Sequence, residues 1–379
     1  MERFAGRALA FVTGLAPAIL ALAVTLSAAG IVTMHTYGLD ATNFASRQLL
    51  WLAIAVAVYV VAAYTDFRFL RRTSVVVWLY IVAAALLAVL LVAVHPVMGA
   101  RAWFSLGPVS FQPSDFAKFV IIVFMAKYFS RRHVEIADYR HIIVSGAYVG
   151  ALTLLILVEP DFGMAVIIGM LWFGLILVSG IRKRQVALVI GLAVLLFAGL
   201  WTFGFKEYQR ERILTFLNPA SDVYGAGYNA YQSVIAAGSG ELFGKGIGYG
   251  TQSKLRFLPE YQTDFIFASF AEEWGFVGVA LILLLYGLLL AKLLSLARHA
   301  ATNFETYFTL GVALLFLSHI IIHVGINLGL LPVTGTTIPF MSAGGSHLVA
   351  EFFELGVVAS FARHARSAPR TTAAQEYVG

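Results

Sequence analysis

Long apolar runs separated by short polar segments fill most of the chain, recurring near residues 9–32, 49–64, 74–94, 114–129, 141–158, 161–180, 186–204, 264–291, 306–326 and 347–362. Most reach the roughly 17 to 25 residues that an α-helix needs to cross a bilayer. Inside hydrocarbon each segment must satisfy its own backbone hydrogen bonds, which favours helices over open strands. The pattern predicts an all-α polytopic membrane protein with about ten transmembrane helices. One polar stretch breaks the rhythm. Residues 205–263, between spans 7 and 8, are rich in glycine, aromatic and charged residues, and we read them as a long structured extracytoplasmic loop. Within it, 231–237 predicts a short helix, and Gly238, Gly240, Gly244, Gly246, Gly248 and Gly250 predict tight turns. Residues 1–366 read as a single transmembrane domain, and 367–379 as a disordered cytoplasmic tail.

Composition sharpens this. With 60% hydrophobic and 12% charged residues, the chain is too apolar for a soluble globular protein. Seventeen of the 26 Lys and Arg fall in segments on one side of the spans, against two, Arg47 and Arg101, in the short loops opposite. The positive-inside rule then places both termini in the cytoplasm and the 205–263 loop outside. The first apolar run is too long for a signal peptide's core and reads as a retained span. The net charge of +6 follows from this topology and from contact with anionic membrane lipids, not from nucleic-acid binding. The absence of Cys excludes disulfides and thiolate metal sites.

Ionisable groups at membrane depth are costly, so each invites a functional reading. Asp115 and Lys118, three apart on one helical face, either neutralise each other or face a substrate. In Glu159-Pro160-Asp161, Asp161 is placed to cap the following helix, and it could also line an outer cavity. Asp264 follows Pro259, Glu260 and Thr263 at the start of a span, where half-burial would tune a carboxylate as a base. Arg210, Arg212, Lys245, Lys254 and Arg256 nearby supply charge suited to a diphosphate. His319 and His323, four apart, either hold a metal or form interhelical hydrogen bonds, the second being the commoner use. His347, Glu351 and Glu354 extend that polar interface onto the last span.

The strings RAWFSLGPVSFQPSDFAKF, VEPDFG, the block from YQRERI to AEEWGF, and NLGLLPVTGTTIPFMSAGGS resemble the SEDS family of shape, elongation, division and sporulation proteins over nearly the whole chain. The resemblance implies ten transmembrane helices and a peptidoglycan glycosyltransferase of the bacterial inner membrane that polymerises lipid II. It implies a class B penicillin-binding protein, the transpeptidase, as partner, and a divalent cation, Mg2+ or Mn2+, as cofactor. The family's essential aspartate falls on Asp264. Its QPS-acid and lysine positions fall on Gln112, Pro113, Ser114, Asp115 and Lys118, and its loop arginine and tryptophan on Arg101 and Trp103. Asp161, Gln232, Gln252, Glu260 and Thr263 are further substrate-binding candidates within the matched strings. Two features depart from the family: its usual SYGGS is here Ser342-Ala343-Gly344-Gly345-Ser346, and the last span carries His347, Glu351 and Glu354 at positions that are mostly apolar in relatives.

An α-linked diphosphate donor and a β-1,4-linked product require inversion at the anomeric carbon. Such a step needs a base on the acceptor hydroxyl and positive charge on the departing diphosphate. Asp264 is the expected base, with the diphosphate held by basic residues drawn from Arg101, Lys118, Arg210, Lys245 and Arg256. The alternatives are a lipid II transporter and a non-catalytic scaffold for the transpeptidase. Outward clustering of the catalytic-type residues speaks against transport.

Overall fold

The computed structural model describes residues 2–35, 38–93, 103–106, 109–131, 139–218 and 227–364. Ten long helices occupy the predicted spans: α1 (Glu2–His35), α2 (Gly38–Tyr64), α3 (Thr73–Ala93), α4 (Pro113–Ser130), α5 (Tyr139–Val158), α6 (Phe162–Val178), α7 (Lys183–Gly199), α11 (Ile266–Arg298), α12 (Asn303–Asn327) and α13 (Gly345–His364). Seven are long and apolar enough to cross a membrane on those grounds alone. The other three are α6, at 17 residues, and α4 and α13, whose apolar runs are broken by Asp115 and Lys118 and by Glu351 and Glu354. Those two carry their charges on buried faces.

The bundle is organised around α12, which packs on α4, α6 and α11, while α13 lies along α2 and α1 runs beside α11. Hydrocarbon offers no hydrophobic drive between helices, so close packing and interhelical hydrogen bonds must hold them. Tyr286 of α11 accordingly donates to the Pro339 carbonyl, and Ser360 of α13 to the Thr65 carbonyl. The helix α7, with a π-helical turn at Leu200–Gly204, is the exception: its flanks are almost entirely exposed, including Leu192, Val194, Leu195 and Phe197.

The 205–263 loop is structured where described. It contains α8 (Glu207–Leu217), α9 (Tyr228–Ser239), which extends the predicted short helix, and the single turn α10 (Thr251–Lys254). Its glycine-rich part is inserted into a break in α11. At Gly275, φ is 65° and ψ is −169°, a conformation essentially reserved for glycine. Lys245 and Gly246 amides donate to the carbonyls of Glu272 and Glu273, and the Phe276 and Val277 amides donate to those of Glu241 and Leu242. The loop thus supplies the hydrogen bonds that the helix loses at its break.

One small departure from an all-helical fold precedes α4. Strands β1 (Phe104–Leu106) and β2 (Val109–Phe111) pair antiparallel, with Phe104 opposite Phe111. The hairpin ends at Gln112, immediately before the α4 N-terminus.

Candidate functional site

Both ends of the 205–263 loop converge on a cavity of about 400 Å3. Trp103 and Gln112 line it from the hairpin side, Asp161 and Phe162 from the start of α6, and Gln209, Arg212 and Ile213 from α8. Glu260, Thr263 and Asp264 contribute the lead-in to α11, and the segment 332–337, with His319 and Ala343, completes the wall.

Asp264 stands two residues ahead of α11, outside the spanning helix. A tight turn fixes it: the amides of Thr263, Asp264 and Phe265 all donate to the Glu260 carbonyl. From α12, the Asn327 amide nitrogen donates to the Asp264 carbonyl at 2.9 Å, while its oxygen accepts from the Ala268 amide at 3.0 Å. The main chain is therefore clamped and the carboxyl left half-buried at the cavity. Gly335 faces it, with φ +71°, and a Cβ there would lie 3.4 Å from Asp264 Oδ2. Burial, then repulsion from Glu260 and Asp161, outweighs attraction by Arg212 and pushes the Asp264 carboxyl up to about 7. That is a poise suited to a general base near neutral pH.

Asp161 fulfils both sequence readings. It caps α6 by accepting from the Met164 amide at 2.9 Å, and it lines the cavity. Gln112 Nε2 lies 3.4 Å from its other oxygen. Burial raises the Asp161 carboxyl despite the capping bond. Neighbouring Glu159 is pushed up to about 8 by burial and by Asp161.

Of the remaining substrate-binding candidates, Trp103, Gln112, Glu260 and Thr263 line the cavity, whereas several others do not. Asp115 and Lys118 form a buried ion pair at 2.9 Å behind the wall, and Ser114 is buried beside them. Helical spacing had placed Asp115 and Lys118 on one face, but that face meets α12 and α13 rather than the cavity. Arg210 donates to the Thr202 carbonyl. Lys245 is held by buried Glu272 at 2.8 Å, and the Gln252 amide binds the same carboxylate, so both fasten the loop to α11. Gln232 sits on α9 and Arg256 is exposed, neither at the cavity. Arg101 lies outside the described residues. Of the basic residues that the sequence offers, Arg212 is the one that lines the cavity among the described residues. Its sequence signal was its place in the RER triplet of an amphipathic stretch, one turn from the cavity residue Gln209.

His319 and His323 turn their Nδ1 atoms to the Thr337 and Thr336 carbonyls, at 3.1 and 2.7 Å, which realises the hydrogen-bonding reading. Among the described residues, no group of three or more His, Asp or Glu is arranged to hold a metal ion. Asp161, Glu260 and Asp264, the carboxylates that line the cavity, are not gathered into such a group.

The model of the FtsW/RodA/SpoVE family of cell cycle proteins matches residues 7–367. The chain belongs to this family. Escherichia coli K12 peptidoglycan glycosyltransferase MrdB is 35% identical over 350 residues, covering 91% of this chain and 92% of that protein. Among solved structures, a chain of a peptidoglycan synthase complex that coordinates polymerization and crosslinking superposes with a TM-score of 0.78 at 31% identity, covering 92% of this chain and 97% of that one. The rod shape determining protein RodA of Thermus thermophilus gives 0.68 at 29%, covering 91% and 96%.

Proposed function

We propose that the protein is a peptidoglycan glycosyltransferase of the bacterial inner membrane that polymerises lipid II into glycan strands during cell-wall elongation. The observation that carries this is a half-buried aspartate, raised to about 7, sharing a 400 Å3 cavity with an arginine that acts on it electrostatically. Asp264 accepts the proton of the acceptor sugar's 4-hydroxyl as that oxygen bonds to the donor's anomeric carbon. The carbon–oxygen bond to the diphosphate breaks, and its electron pair leaves with the diphosphate. Arg212 offsets the charge that accumulates there. Trp103, half-exposed at the cavity, offers a ring face to a sugar, and Gln112, Glu260 and Thr263 offer hydrogen bonds. A divalent cation enters this reading only as a counter-ion brought by the diphosphate.

The partner in this reading is a class B penicillin-binding protein. The relative solved within a synthase complex supports it, as do Leu242, Phe243, Ile247, Tyr249 and Leu255, large apolar side chains exposed on the loop. The basic-residue asymmetry supports cytoplasmic termini and an outward-facing cavity.

The test is polymerisation of lipid II by purified protein with its cognate transpeptidase, with and without chelator. Asp264→Asn is expected to lower turnover by about 10²- to 10⁴-fold in folded protein. Full polymer yield from that variant would refute the base assignment, and leaflet exchange of lipid II without polymer from the wild type would refute the enzyme reading.

A further inference from the structure

Behind the cavity, five residues close into a hydrogen-bonded ring, four by their side chains and Thr337 by both carbonyl and hydroxyl. Lys118 Nζ contacts Asp115 Oδ1 at 2.9 Å and His319 Nε2 at 3.2 Å. His319 Nδ1 in turn lies 3.1 Å from the Thr337 carbonyl. The Thr337 hydroxyl is 2.8 Å from His347 Nε2, and His347 Nδ1 returns to Asp115 Oδ1 at 3.1 Å. Lys118 donates into His319 Nε2, so His319 presents its Nδ1–H to Thr337. A sixth residue braces the ring: Glu351 Oε1 lies 2.8 Å from His347 Nε2, and Glu351 Oε2 accepts from the Phe340 amide at 2.8 Å. Every ionisable member is under 8% exposed.

Burying five ionisable groups inside a membrane bundle costs free energy, and hydrophobic packing alone would not require it. What the ring grips is specific. It holds Thr337 by carbonyl and hydroxyl, and the Phe340 amide three residues on. The segment that contains Thr337 also holds Gly335, which faces the Asp264 carboxyl. The far end of the segment is tied to the lead-in of α11, because Ser342 Oγ donates to the Thr263 carbonyl and the Ala343 amide to that of Gln262. We infer that His347 and Glu351 are positioning residues for glycosyl transfer: with Asp115, Lys118 and His319 they lock the 335–340 wall against Asp264, and so set the geometry in which the acceptor meets its base. Asp115 and Lys118 then act through Thr337 rather than by touching substrate. The inference rests on the cavity being the polymerising site.

The experiment measures kcat and KM for lipid II in the purified full chain with its cognate transpeptidase, for His347→Leu, Glu351→Leu, Glu351→Gln and Thr337→Val, with Asp264→Asn as control. Thermal unfolding establishes that each variant is folded. His347→Leu and Glu351→Leu are expected to lower kcat at least about tenfold with KM within about twofold, because the wall shifts while binding contacts persist. Glu351→Gln keeps an acceptor for the Phe340 amide and is expected to restore most of the turnover that Glu351→Leu loses. Thr337→Val, nearly isosteric, removes only the hydroxyl grip and is expected to reproduce the kcat loss even if His347→Leu does not fold. Wild-type kcat in folded His347→Leu or in Thr337→Val would overturn the inference, as would equal loss in Glu351→Gln and Glu351→Leu. If Asp264→Asn stays active, the site reading itself fails, which separates the two.

Discussion

Asp264 gains its chemistry from what surrounds it, and that makes its behaviour with pH calculable in sign. Its folded value of about 7 lies above the ordinary carboxylate value of 3.8. The base form therefore accumulates as pH rises, and kcat/KM for polymerisation is expected to climb through about pH 7 to a plateau, read from initial rates between pH 5 and 9. The same shift has a stability consequence. Between the unfolded and folded values the native state binds the extra proton, so this group's contribution to stability declines as pH rises across that window. Asp264→Asn cannot ionise, and its unfolding temperature relative to wild type is expected to increase from pH 4 to pH 7. At Arg212, substitution by Gln is expected to reduce turnover by about 10²- to 10³-fold, a loss of transition-state charge stabilisation seen in kcat. The place of Asp264 at the cavity was legible in the sequence because this aspartate follows a basic, glycine-rich block at the start of a span. Arg212 was not separable from Arg210, Lys245 or Arg256 there, since only the fold shows which of these cations lines the cavity.

Two elements owe their form to groups far away in the chain. The broken helix α11 is continuous in sequence, and the apolar run starting near Asp264 predicts one span; nothing in that run announces that loop 241–246 completes its hydrogen bonding at Gly275. Gly275→Ala forces a side chain into the Gly244 amide and a φ of 65° that non-glycine residues avoid. A loss of about 2 kcal/mol or more is expected, read as a lower unfolding temperature with the fold otherwise retained. The helix α13 shows the converse. Its two glutamates and His347 broke the apolar pattern of a spanning helix, and the sequence reads them as a polar helix–helix interface, which His347 joins through Asp115 of α4. It could not show that Glu351 binds a loop amide and His347 a threonine, because those hydrogen bonds join α13 to 337 and 340 in a segment without regular structure. The hairpin before α4 was missed for a simpler reason: two strands of three residues are shorter than any period that alternation can establish.

Across the whole molecule, the ten predicted spans correspond to ten helices within a few residues at most ends, since bilayer thickness and backbone satisfaction leave hydrophobic runs few alternatives. Their arrangement was not legible, because interhelical contacts in lipid depend on shape and scattered polar groups rather than on hydropathy. The chain has no cysteine, so single-cysteine variants report orientation cleanly. A membrane-impermeant thiol reagent on intact spheroplasts is expected to label Phe243→Cys and spare Arg298→Cys. A bilayer-dissolved reagent is expected to label Leu195→Cys on α7 and to spare Phe316→Cys on α12. The isolation of α7 bears on traffic as well as on labelling. In the proposed reaction each round of strand growth discharges a spent polyprenyl carrier and admits a fresh one, and a helix with flanks as exposed as those of α7 is where that reading puts the side door. On that proposal, exchange of the oily tail amounts to sideways diffusion within the leaflet, past the exposed flank of α7.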